Sequence, residues 1–376
     1  MIPPGSTIGL LGGGQLGRMF ASEAVRMGYQ VIVVDPDPDA PAAQLALRHI
    51  HADWTDSAII DDLAANVSVV TTEFENVPAD LLRALAAHVP VRPGADAVAV
   101  CQDRVAEKRF LRRTGISTVR WGAIAAEADI DDAWQDAGSG PVIVKTNSLG
   151  YDGKGQALAD DPGSIARAWR SLGEVRCIVE ERVSLAREIS VMVARGTDGQ
   201  MATWDIGENV HVGGILHTTM VPAEVDAGVG ETARNAALQI AERLDYVGVM
   251  GVECFVTTDG EVLVNELAPR PHNSGHWTID ASMTSQFEQQ VRAITGLPLG
   301  RTDRLSPAAM VNILGDAWRG APPRFDRAIS RPGVRLHLYG KREPRPGRKM
   351  GHLTALATDS ASALRLVLEA LDSLSG

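Results

Sequence analysis

The sequence predicts an α/β protein of two or three domains that begins with a parallel sheet. Within residues 7–100, apolar strand-like segments alternate with helical ones, a pattern typical of a parallel sheet with helices on its faces. The chain has 376 residues, and a domain contains roughly 150 residues on average. Hydrophobic residues make up 45% and charged residues 22% of the chain. This composition is that of an ordinary globular protein and excludes a disordered chain or a fibrous repeat.

The N-terminal elements can be placed in chain order. TIGLL is typical of a buried strand, GGGQLG of a turn, and FASEAVRM of a helix that ends at Gly28. QVIVVD predicts the second strand, and residues 67–72 predict the third. Residues 78–88 predict a helix that begins with Pro78, since proline is well tolerated in the first helical turn. These elements form the first predicted domain, residues 1–100.

The second predicted domain, residues 101–300, has a different order of elements. A charged helix over 103–113 precedes the strand VIVK and the strand-like segments CIVEERV, EISVMVA and QMATWDI. A long helix over 231–244, a hairpin and a helix near 285–294 follow.

The third predicted domain, residues 301–376, is small and β-rich. AAMVNILG, VRLHLYG and HLTALAT are strand-like, and an amphipathic helix ends the chain. Between the predicted elements, residues 131–140 and 315–323 are interpreted as surface loops.

Charge and cysteine content limit the partners of the protein. Lys and Arg total 36 and Asp and Glu total 47, a net charge of -11 that argues against general binding to nucleic acid or to anionic membranes. Three scattered cysteines suit a reducing compartment. The sequence shows no run of about 18 apolar residues and no basic segment typical of a secretory signal. We therefore expect a cytoplasmic protein without membrane or nucleic-acid partners.

The first glycine-rich motif is Gly12-x-Gly14-x-x-Gly17, between a strand and a helix, with Asp35 closing the next strand. This spacing is typical of dinucleotide binding, because glycines allow close backbone approach and a helix N-terminus attracts phosphate. The motif alone also fits a tight turn or another phosphate ligand.

The second glycine-rich segment, residues 150–156, follows the strand that ends in Lys145. It is not a Walker A loop, since no GK[ST] opens a helix after it. Backbone amides of such a loop can enclose a polyphosphate, with Lys145 as a fixed positive charge. The alternative is a β-hairpin turn with a solvated lysine.

The hairpin VECFVTTDGEVLVNEL predicts a metal site. A two-residue turn at Asp259-Gly260 places Glu253 opposite Glu266 on one face, with Cβ atoms about 4.5 to 5.5 Å apart. Two carboxylates this close, among apolar neighbours, repel each other unless a cation or a shared proton intervenes. Oxygen ligands without nearby Cys or His favour Mg²⁺ over zinc. The alternative is a solvated pair at a sheet edge.

Two polar loops follow the hairpin. The segment 269–276, PRPHNSGH, contains two prolines that exclude a helical zinc site, and its Arg, His and Asn side chains suit a small anion. The segment 341–349 holds five positive charges and one negative charge. Its prolines and glycine prevent a helical basic face, which favours a pocket for one phosphate over a nucleic-acid surface. Either segment has a simpler interpretation as a packed or solvated loop.

Seven segments carry a family resemblance: GGGQLGRM, TTEFENVP, KTNSLGYDGKGQ, EERVSLAREISV, NVHVGGILHTT, NELAPRPHNSGHWT and YGKREPRPGRKMGHL. Together they resemble the ATP-grasp superfamily and, within it, the bacterial and fungal 5-(carboxyamino)imidazole ribonucleotide synthase family of purine biosynthesis. The likeness covers nearly the whole chain. NELAPRPHNSGHWT and PGRKMGHL are the most specific segments, whereas GGGQLG is shared with related carboxylate-amine ligases.

The resemblance implies an ATP-grasp fold with an N-terminal Rossmann-like domain and a small C-terminal domain, assembled as a homodimer. It implies ATP-dependent carboxylation of aminoimidazole ribonucleotide with bicarbonate through carboxyphosphate, with two Mg²⁺ ions held by Glu253 and Glu266. ATP-binding residues implied by the resemblance are Arg104, Lys145, Gly150, Tyr151, Asp152, Gly153, Lys154, Gly155, Gln156, Glu180, Glu181, Arg182, Val183, Glu188, His211, Asn265 and Glu266.

The resemblance places the ribonucleotide across all three domains. Its implied contacts are Gln15, Leu16, Glu75, Asn273, Lys341, Arg348 and Lys349. Arg270 and His272 are the candidates for holding bicarbonate, and Lys341 is grouped with them as catalytic. His272 or Asp152 would assist proton transfer.

Three other functions are compatible with parts of the sequence. A formate-dependent glycinamide ribonucleotide transformylase shares the architecture and the glutamate hairpin, but HNSGHWT argues against it. An NAD-dependent oxidoreductase would explain residues 12–17 and Asp35 but not the second glycine-rich loop, the glutamate hairpin or the basic loop. A nucleic-acid-binding protein would rest on residues 341–349 alone and conflicts with the net charge.

Overall fold

The computed structural model describes residues 1–148 and 155–375, which form three sheets with helices packed against them. The N-terminal sheet is parallel, as predicted, with strand order β3-β2-β1-β4. Its strands are Thr7–Leu11 (β1), Gln30–Asp35 (β2), Arg48–His51 (β3) and Val69–Thr72 (β4), and its helices are Gln15–Arg26 (α1), Ala58–Asn66 (α2), Ala79–Ala86 (α3) and Ala95–Gln102 (α4).

The N-terminal sheet contains one strand that the sequence did not predict. β3 has the sequence RHIH, and none of its four residues is fully buried. An edge strand of this kind has no apolar run, so period-two patterning does not reveal it. The predicted strands and helices of this region are otherwise found, with α1 beginning at Gln15, earlier than predicted.

A second, smaller sheet of four antiparallel strands has the order β5-β8-β6-β7. The prediction of a surface loop over 131–140 was wrong, because a helix begins at Ile130 and buries Ile130 and Ala133 against this sheet. Its seven residues are too few to show a helical period in the sequence. The elements are Arg104–Thr114 (α5), Trp121–Ile124 (β5), Ile130–Asp136 (α6), Val142–Thr146 (β6), Gln156–Ala159 (β7), Pro162–Ser171 (α7) and Cys177–Glu181 (β8).

The largest sheet has nine strands in the order β14-β13-β9-β11-β12-β15-β17-β16, with β10 paired to β9. The predicted C-terminal strands therefore extend the central sheet, because β15 pairs with β12. The strands are Leu185–Arg195 (β9), Met201–Thr203 (β10), Gly207–Val212 (β11), Ile215–Val221 (β12), Gly248–Thr257 (β13), Val262–Ala268 (β14), Ala308–Leu314 (β15), Val334–Leu338 (β16) and Lys349–Leu356 (β17).

Helices cover the faces of the central sheet. The long helix α8 buries Ala233, Ala237 and Ile240 in the core that it shares with β9 and β13. The terminal helix α12 packs Ala363 and Val367 against β15 and β17. The helices are Ala227–Arg243 (α8), Thr278–Ala281 (α9), Gln286–Thr295 (α10), Phe325–Ile329 (α11) and Ser360–Asp372 (α12). Along the described part of the chain, no helix combines the length and the apolar composition needed to cross a membrane.

The hairpin of β13 and β14 confirms that Glu253 pairs with Glu266. The predicted two-residue turn was wrong, since Thr257 N donates to Glu261 O and the loop contains three residues that end in Gly260 at φ +82°. A glycine in the left-handed region is typical of three-residue hairpin loops. A bulge then shifts the register by one, so Asn265 is an extra residue that restores the pairing of the two glutamates.

Candidate active site

A cavity of about 820 Å³ lies where the three sheets approach one another, and it collects most of the predicted site residues. A second cavity of about 550 Å³ adjoins it and shares Ile143, Lys145, Leu185 and Phe255 with it. The predicted residues that line the larger cavity are Gln15, Leu16, Glu75, Arg104, Lys145, Gly155, Gln156, Glu188, His211, Glu253, Asn265, Glu266, Arg270, His272, Asn273, Lys341 and Lys349.

The first glycine-rich turn is occupied by carboxylates of the protein itself. Gly13 N donates to Asp35 Oδ2 at 2.6 Å, and Gly14 N donates to Glu73 Oε1 at 2.6 Å. A Cβ atom on Gly17 would lie 2.7 Å from Gly12 O, so only glycine fits this close approach. Because the amides of Gly13 and Gly14 are satisfied, this turn does not present them to a dinucleotide pyrophosphate. The structure therefore disfavours the NAD alternative.

The loop after β4 meets the loop after β14 through an ion pair. Arg270 Nε and Nη2 lie 3.0 and 2.5 Å from Glu75 Oε2. Both side chains are mostly buried, and the Glu75 carboxylate raises the pKa of Arg270 against the opposing effect of burial. The ion pair of Arg270 and Glu75 fixes a guanidinium and a carboxylate at the wall of the cavity, where the N-terminal sheet and the central sheet meet.

The paired glutamates of the hairpin have different electrostatic surroundings. Burial and the nearby Glu266 charge raise the pKa of Glu253 to about 7. Burial acts on Glu266 too, but Arg104, 3.1 Å away, and Lys145 lower the pKa of this carboxyl. The bulge brings Asn265 to the same cavity, and its buried Oδ1 atom has no hydrogen-bond partner among the described residues. Three oxygen-bearing side chains, those of Glu253, Asn265 and Glu266, thus line the same cavity.

Two lysines hold one buried carboxylate, that of Glu180, at the smaller cavity. Glu180 accepts a hydrogen bond from Lys145 and lies 3.3 Å from Lys108 Nζ. Burial would raise its pKa, but the two ammonium groups lower it to about 2. Lys108 was not predicted as a site residue. The sequence does indicate that Lys108 is buried. This charged residue lies on the apolar face of α5, three positions after Val105 and three before Leu111.

The predicted adenine hinge lies at the smaller cavity. This cavity is lined by Glu180, Glu181, Arg182 and Val183, together with apolar Ile143 and Leu185. At the larger cavity, His211 Nδ1 is 2.7 Å from Glu188 Oε2. Burial lowers the pKa of His211, but the hydrogen bond with Glu188 and the charges of Glu253 and Glu188 together outweigh it, so the net shift is upward.

The loop after β14 places His272 beside the paired glutamates. His272 Nε2 is 3.3 Å from Glu253 Oε1, and Nδ1 lies 2.8 Å from Ser274 Oγ. Burial and the neighbouring Arg270 charge hold the pKa of His272 well below its ordinary value. Asn273 lines the cavity as well, but its carboxamide exchanges hydrogen bonds of 3.1 and 2.7 Å with Asn312, a partner that the sequence did not reveal.

The basic loop joins the C-terminal strands to the first turn of α1. Lys341 Nζ donates to Gln15 Oε1 at 2.5 Å and to Lys349 O at 2.8 Å. Arg348 lines neither cavity, and its guanidinium donates to Glu343 O at 3.0 Å. The structure therefore brings Lys341 and Lys349, but not Arg348, to the site.

Part of the predicted site lies outside the described residues. Gly150, Tyr151, Asp152, Gly153 and Lys154 belong to this group, and their assignments stay predictions. Gly155 and Gln156, at the end of the same loop, line the larger cavity.

Three family models match successive parts of the chain. Family models match residues 5–102 (ribonucleotide synthetase preATP-grasp domain), 109–287 (ATP-grasp domain) and 308–366 (phosphoribosylaminoimidazole carboxylase C-terminal domain). The chain is 46% identical over 357 residues to the N5-carboxyaminoimidazole ribonucleotide synthase of Brucella melitensis, covering 94% of this chain and 97% of the relative. The Bacillus subtilis enzyme of the same name is 42% identical, covering 94% of this chain and 92% of the relative.

Solved structures give the same result. A crystal structure of an N5-carboxyaminoimidazole ribonucleotide synthetase with ADP matches with a TM-score of 0.93 and 40% identity, covering 100% of this chain and 99% of that one. A structure of the Aspergillus clavatus enzyme with ADP and 5-aminoimidazole ribonucleotide matches with a TM-score of 0.89 and 29% identity, covering 98% of both chains.

The fold and the site define an ATP-grasp enzyme, an ATP-dependent ligase that forms a carbon–nitrogen bond. More narrowly, the chain belongs to the N5-carboxyaminoimidazole ribonucleotide synthase family, whose members act in purine biosynthesis. The fold and the family that the sequence motifs predicted are therefore confirmed.

Proposed function

We propose that the protein carboxylates 5-aminoimidazole ribonucleotide with bicarbonate and ATP through carboxyphosphate, giving 5-carboxyaminoimidazole ribonucleotide, ADP and phosphate. One observation carries the proposal: a single cavity joins the paired glutamates to cations on two sides. Lys145 also lines the smaller cavity and Arg104 pairs with Glu266, whereas Lys341 lies in the loop before β17 and Lys349 at the start of that strand. This arrangement suits a triphosphate at one end and a second phosphate ester at the other.

ATP is proposed to span the two adjoining cavities. Adenine fits the smaller cavity, against the backbone of Glu180 to Val183 and the apolar Ile143. Glu188 is suited to the ribose hydroxyls, and the phosphates extend towards Lys145, Arg104 and His211 in the larger cavity. From the second glycine-rich segment, Gly155 and Gln156 line the same cavity and are proposed to contact these phosphates.

The carboxylates and the amide of the hairpin fit Mg²⁺. Glu253, Glu266 and Asn265 offer only oxygen atoms, the ligands that Mg²⁺ prefers. A cation at this position would give Asn265 Oδ1 the partner that the described residues do not supply, and it would counter the rise in the pKa of Glu253 that burial and Glu266 cause. Among the described residues no group of three or more His, Cys, Asp or Glu side chains is arranged to hold a metal. The remaining ligands of two Mg²⁺ ions would therefore be phosphate oxygens and water, and the ions would offset the charge of the phosphates.

The ribonucleotide is proposed to lie between the N-terminal and C-terminal sheets. Gln15 and Leu16 face it from the first turn of α1, and Glu75 is placed to bind its exocyclic amine. Lys341 and Lys349, with Asn273 of the same cavity, would hold its phosphate or orient its ring.

The proposed chemistry has two steps. A bicarbonate oxygen attacks the γ-phosphorus of ATP, forming a new P–O bond while the bond to ADP breaks. The amine nitrogen then attacks the carboxyl carbon, either directly or after release of CO2, and the C–O bond to phosphate breaks. Arg270 and His272 are placed to hold the bicarbonate, and the amine proton passes to His272 or Asp152. The protein contributes mainly positioning and charge neutralisation.

Domain organisation and assembly are part of the proposal. We propose boundaries at residues 1–100, 101–300 and 301–376, a homodimeric assembly and a cytoplasmic location. Only small-molecule substrates are proposed as partners, since the net charge of -11 disfavours nucleic acid.

Oxygen-18 transfer tests the carboxyphosphate step. Because the attacking oxygen stays on phosphorus when the C–O bond breaks, bicarbonate labelled with oxygen-18 should deliver one labelled oxygen to each phosphate released. Mass spectrometry of the phosphate measures this transfer, with labelled water as the control for exchange. Unlabelled phosphate from labelled bicarbonate would contradict the carboxyphosphate route.

A further inference from the structure

Lys108 is a fully buried lysine that lines neither cavity. Its ammonium donates to Thr118 Oγ1 at 2.9 Å and to Asn265 O at 2.8 Å, and it lies 3.3 Å from Glu180 Oε1. Burying an ion pair is weak evidence for stability, because apolar residues of similar volume often fill such a place as well. The contacts of Lys108 therefore call for another explanation.

The hydrogen bond from Lys108 to the Asn265 carbonyl holds the bulge in β14. Asn265 is the extra residue of this bulge, and the Lys108 ammonium satisfies its carbonyl group. Two other residues of α5 hold the neighbouring positions: Arg104 pairs with the Glu266 carboxylate, and Glu107 Oε2 accepts from Leu267 N at 2.9 Å. One helix thus fixes the irregular backbone that turns both Asn265 and Glu266 towards the cavity.

The contact of Lys108 with Glu180 affects the positive charge that Lys145 presents to the cavities. Glu180 accepts a hydrogen bond from Lys145, which lines both cavities. If Lys145 were the only cation beside Glu180, the pair of Lys145 and Glu180 would be neutral. With Lys108 on the other side of the carboxylate, the three groups carry a net charge of +1, and a positive potential remains at Lys145 for an anionic ligand.

We infer that Lys108 is a positioning residue for nucleotide binding, which keeps the charge of Lys145 available to phosphate and holds the bulge that presents Asn265 and Glu266. Lys108 acts through these groups and does not itself touch the nucleotide. The inference rests on the proposed position of the nucleotide phosphates beside Lys145.

A double-mutant cycle tests the charge part of the inference. ADP binding is measured by titration calorimetry without Mg²⁺ for the wild type, Lys108→Met, Glu180→Gln and the double variant. Lys108→Met should weaken ADP binding about tenfold, because the remaining pair is neutral. Adding Glu180→Gln to Lys108→Met should restore at least about threefold of the lost ADP affinity, because Lys145 then faces no buried carboxylate. A purely structural role of Lys108 would leave the double variant as weak as Lys108→Met.

The Mg²⁺ dependence tests the bulge part. In the wild type, added Mg²⁺ should strengthen ADP binding. Both variants that lack Lys108 should lose most of this gain, because the Asn265 carbonyl has no donor to hold it. The matched control is Arg109→Met, which removes a positive charge from an exposed position of the same helix and should leave both measurements unchanged.

The results separate this inference from the proposed function. Wild-type ADP affinity and wild-type Mg²⁺ gain in Lys108→Met would overturn the inference. A wild-type protein that binds no ADP would instead overturn the proposed nucleotide site. If Lys108→Met does not fold, the double variant decides the question, since it leaves no buried carboxylate that needs Lys108. A folded double variant that binds ADP tenfold more weakly than the wild type contradicts the inference.

Discussion

Glu253 of β13 pairs with Glu266 of β14 across the hairpin, and the bulge at Asn265 makes this pairing possible. Without the extra residue, the register near the turn would place Glu253 opposite Asn265. The bulge thus sets two carboxylates side by side and turns the intervening amide towards the same cavity. The arrangement costs free energy in the absence of a cation and becomes favourable when a cation is bound.

Replacing either glutamate should weaken Mg²⁺ binding. Glu253→Gln and Glu266→Gln each remove one charged oxygen ligand while keeping the size of the side chain. We expect the affinity for Mg²⁺ in the presence of ADP to fall at least about tenfold in each variant. Calorimetric titration with Mg²⁺ measures it. Glu261→Gln, at an exposed position of the same hairpin, is the control. Unchanged Mg²⁺ affinity in both Glu253→Gln and Glu266→Gln would contradict a metal site at these glutamates.

The stability of the metal-free protein should fall as the pH rises towards neutrality. The pKa of Glu253 is raised to about 7 in the folded protein, against about 4.3 in an unfolded chain. Folding therefore favours the protonated carboxyl, and this stability is lost as the pH rises from about 4 to 7.

The Glu253→Gln variant should escape this loss. At pH 8 with a chelator present, its free energy of unfolding should exceed that of the wild type by about 1–3 kcal/mol. Urea unfolding at pH 5 and pH 8 measures the difference, which should shrink at the lower pH. A variant less stable than the wild type at pH 8 would show that the paired carboxylates do not repel each other.

Loss of Arg270 should affect stability and turnover separately. Arg270→Met leaves the Glu75 carboxylate partly buried without its guanidinium, which should lower the free energy of unfolding by about 2 kcal/mol. Adding Glu75→Gln should restore most of this stability but not the rate, because Arg270 is proposed to hold bicarbonate. Arg301→Met breaks an exposed ion pair and should change stability by less than about 0.5 kcal/mol. Full turnover in the double variant would contradict the role of Arg270.

Lys341 should matter for the ribonucleotide more than for ATP. Its ammonium bridges Gln15 and the Lys349 carbonyl, and Lys341 lines the larger cavity but not the smaller one, where adenine is proposed to bind. Lys341→Met should raise KM for the ribonucleotide at least about tenfold while KM for ATP changes less than about twofold. Steady-state kinetics measures both constants. Arg342→Met, at the exposed next position, serves as the control, and equal effects on both substrates would argue against the proposed placement.

Much of the fold and the site could be predicted from local patterns. The alternation of strands and helices gave the N-terminal sheet, and the strand-like segments gave most of the central sheet. The pairing of Glu253 with Glu266 was predicted correctly, although the predicted turn was wrong. The loop is one residue longer than predicted, and the bulge at Asn265 shifts the register back by one, so the two differences cancel. β3 and α6 were missed because short, polar elements carry too few residues to show a period.

The parts of the site that were missed depend on contacts between distant segments. Glu73 caps the Gly14 amide from 59 residues away, and Asn312 pairs with Asn273 across 39 residues. Patterns within a short window do not report such partners. Lys108 differs, since a charge on the apolar stripe of α5 is visible in the sequence and marks a buried ion pair once the helix is recognised.

The most direct test of the proposed reaction is ADP release in a coupled assay with ATP and Mg²⁺. Bicarbonate and aminoimidazole ribonucleotide are added separately and then together, with glycinamide ribonucleotide plus formate in a parallel reaction. The account predicts that ADP release requires both bicarbonate and aminoimidazole ribonucleotide for full rate and does not occur with the glycinamide pair. Release only with the glycinamide pair, or no release in any mixture, would contradict it.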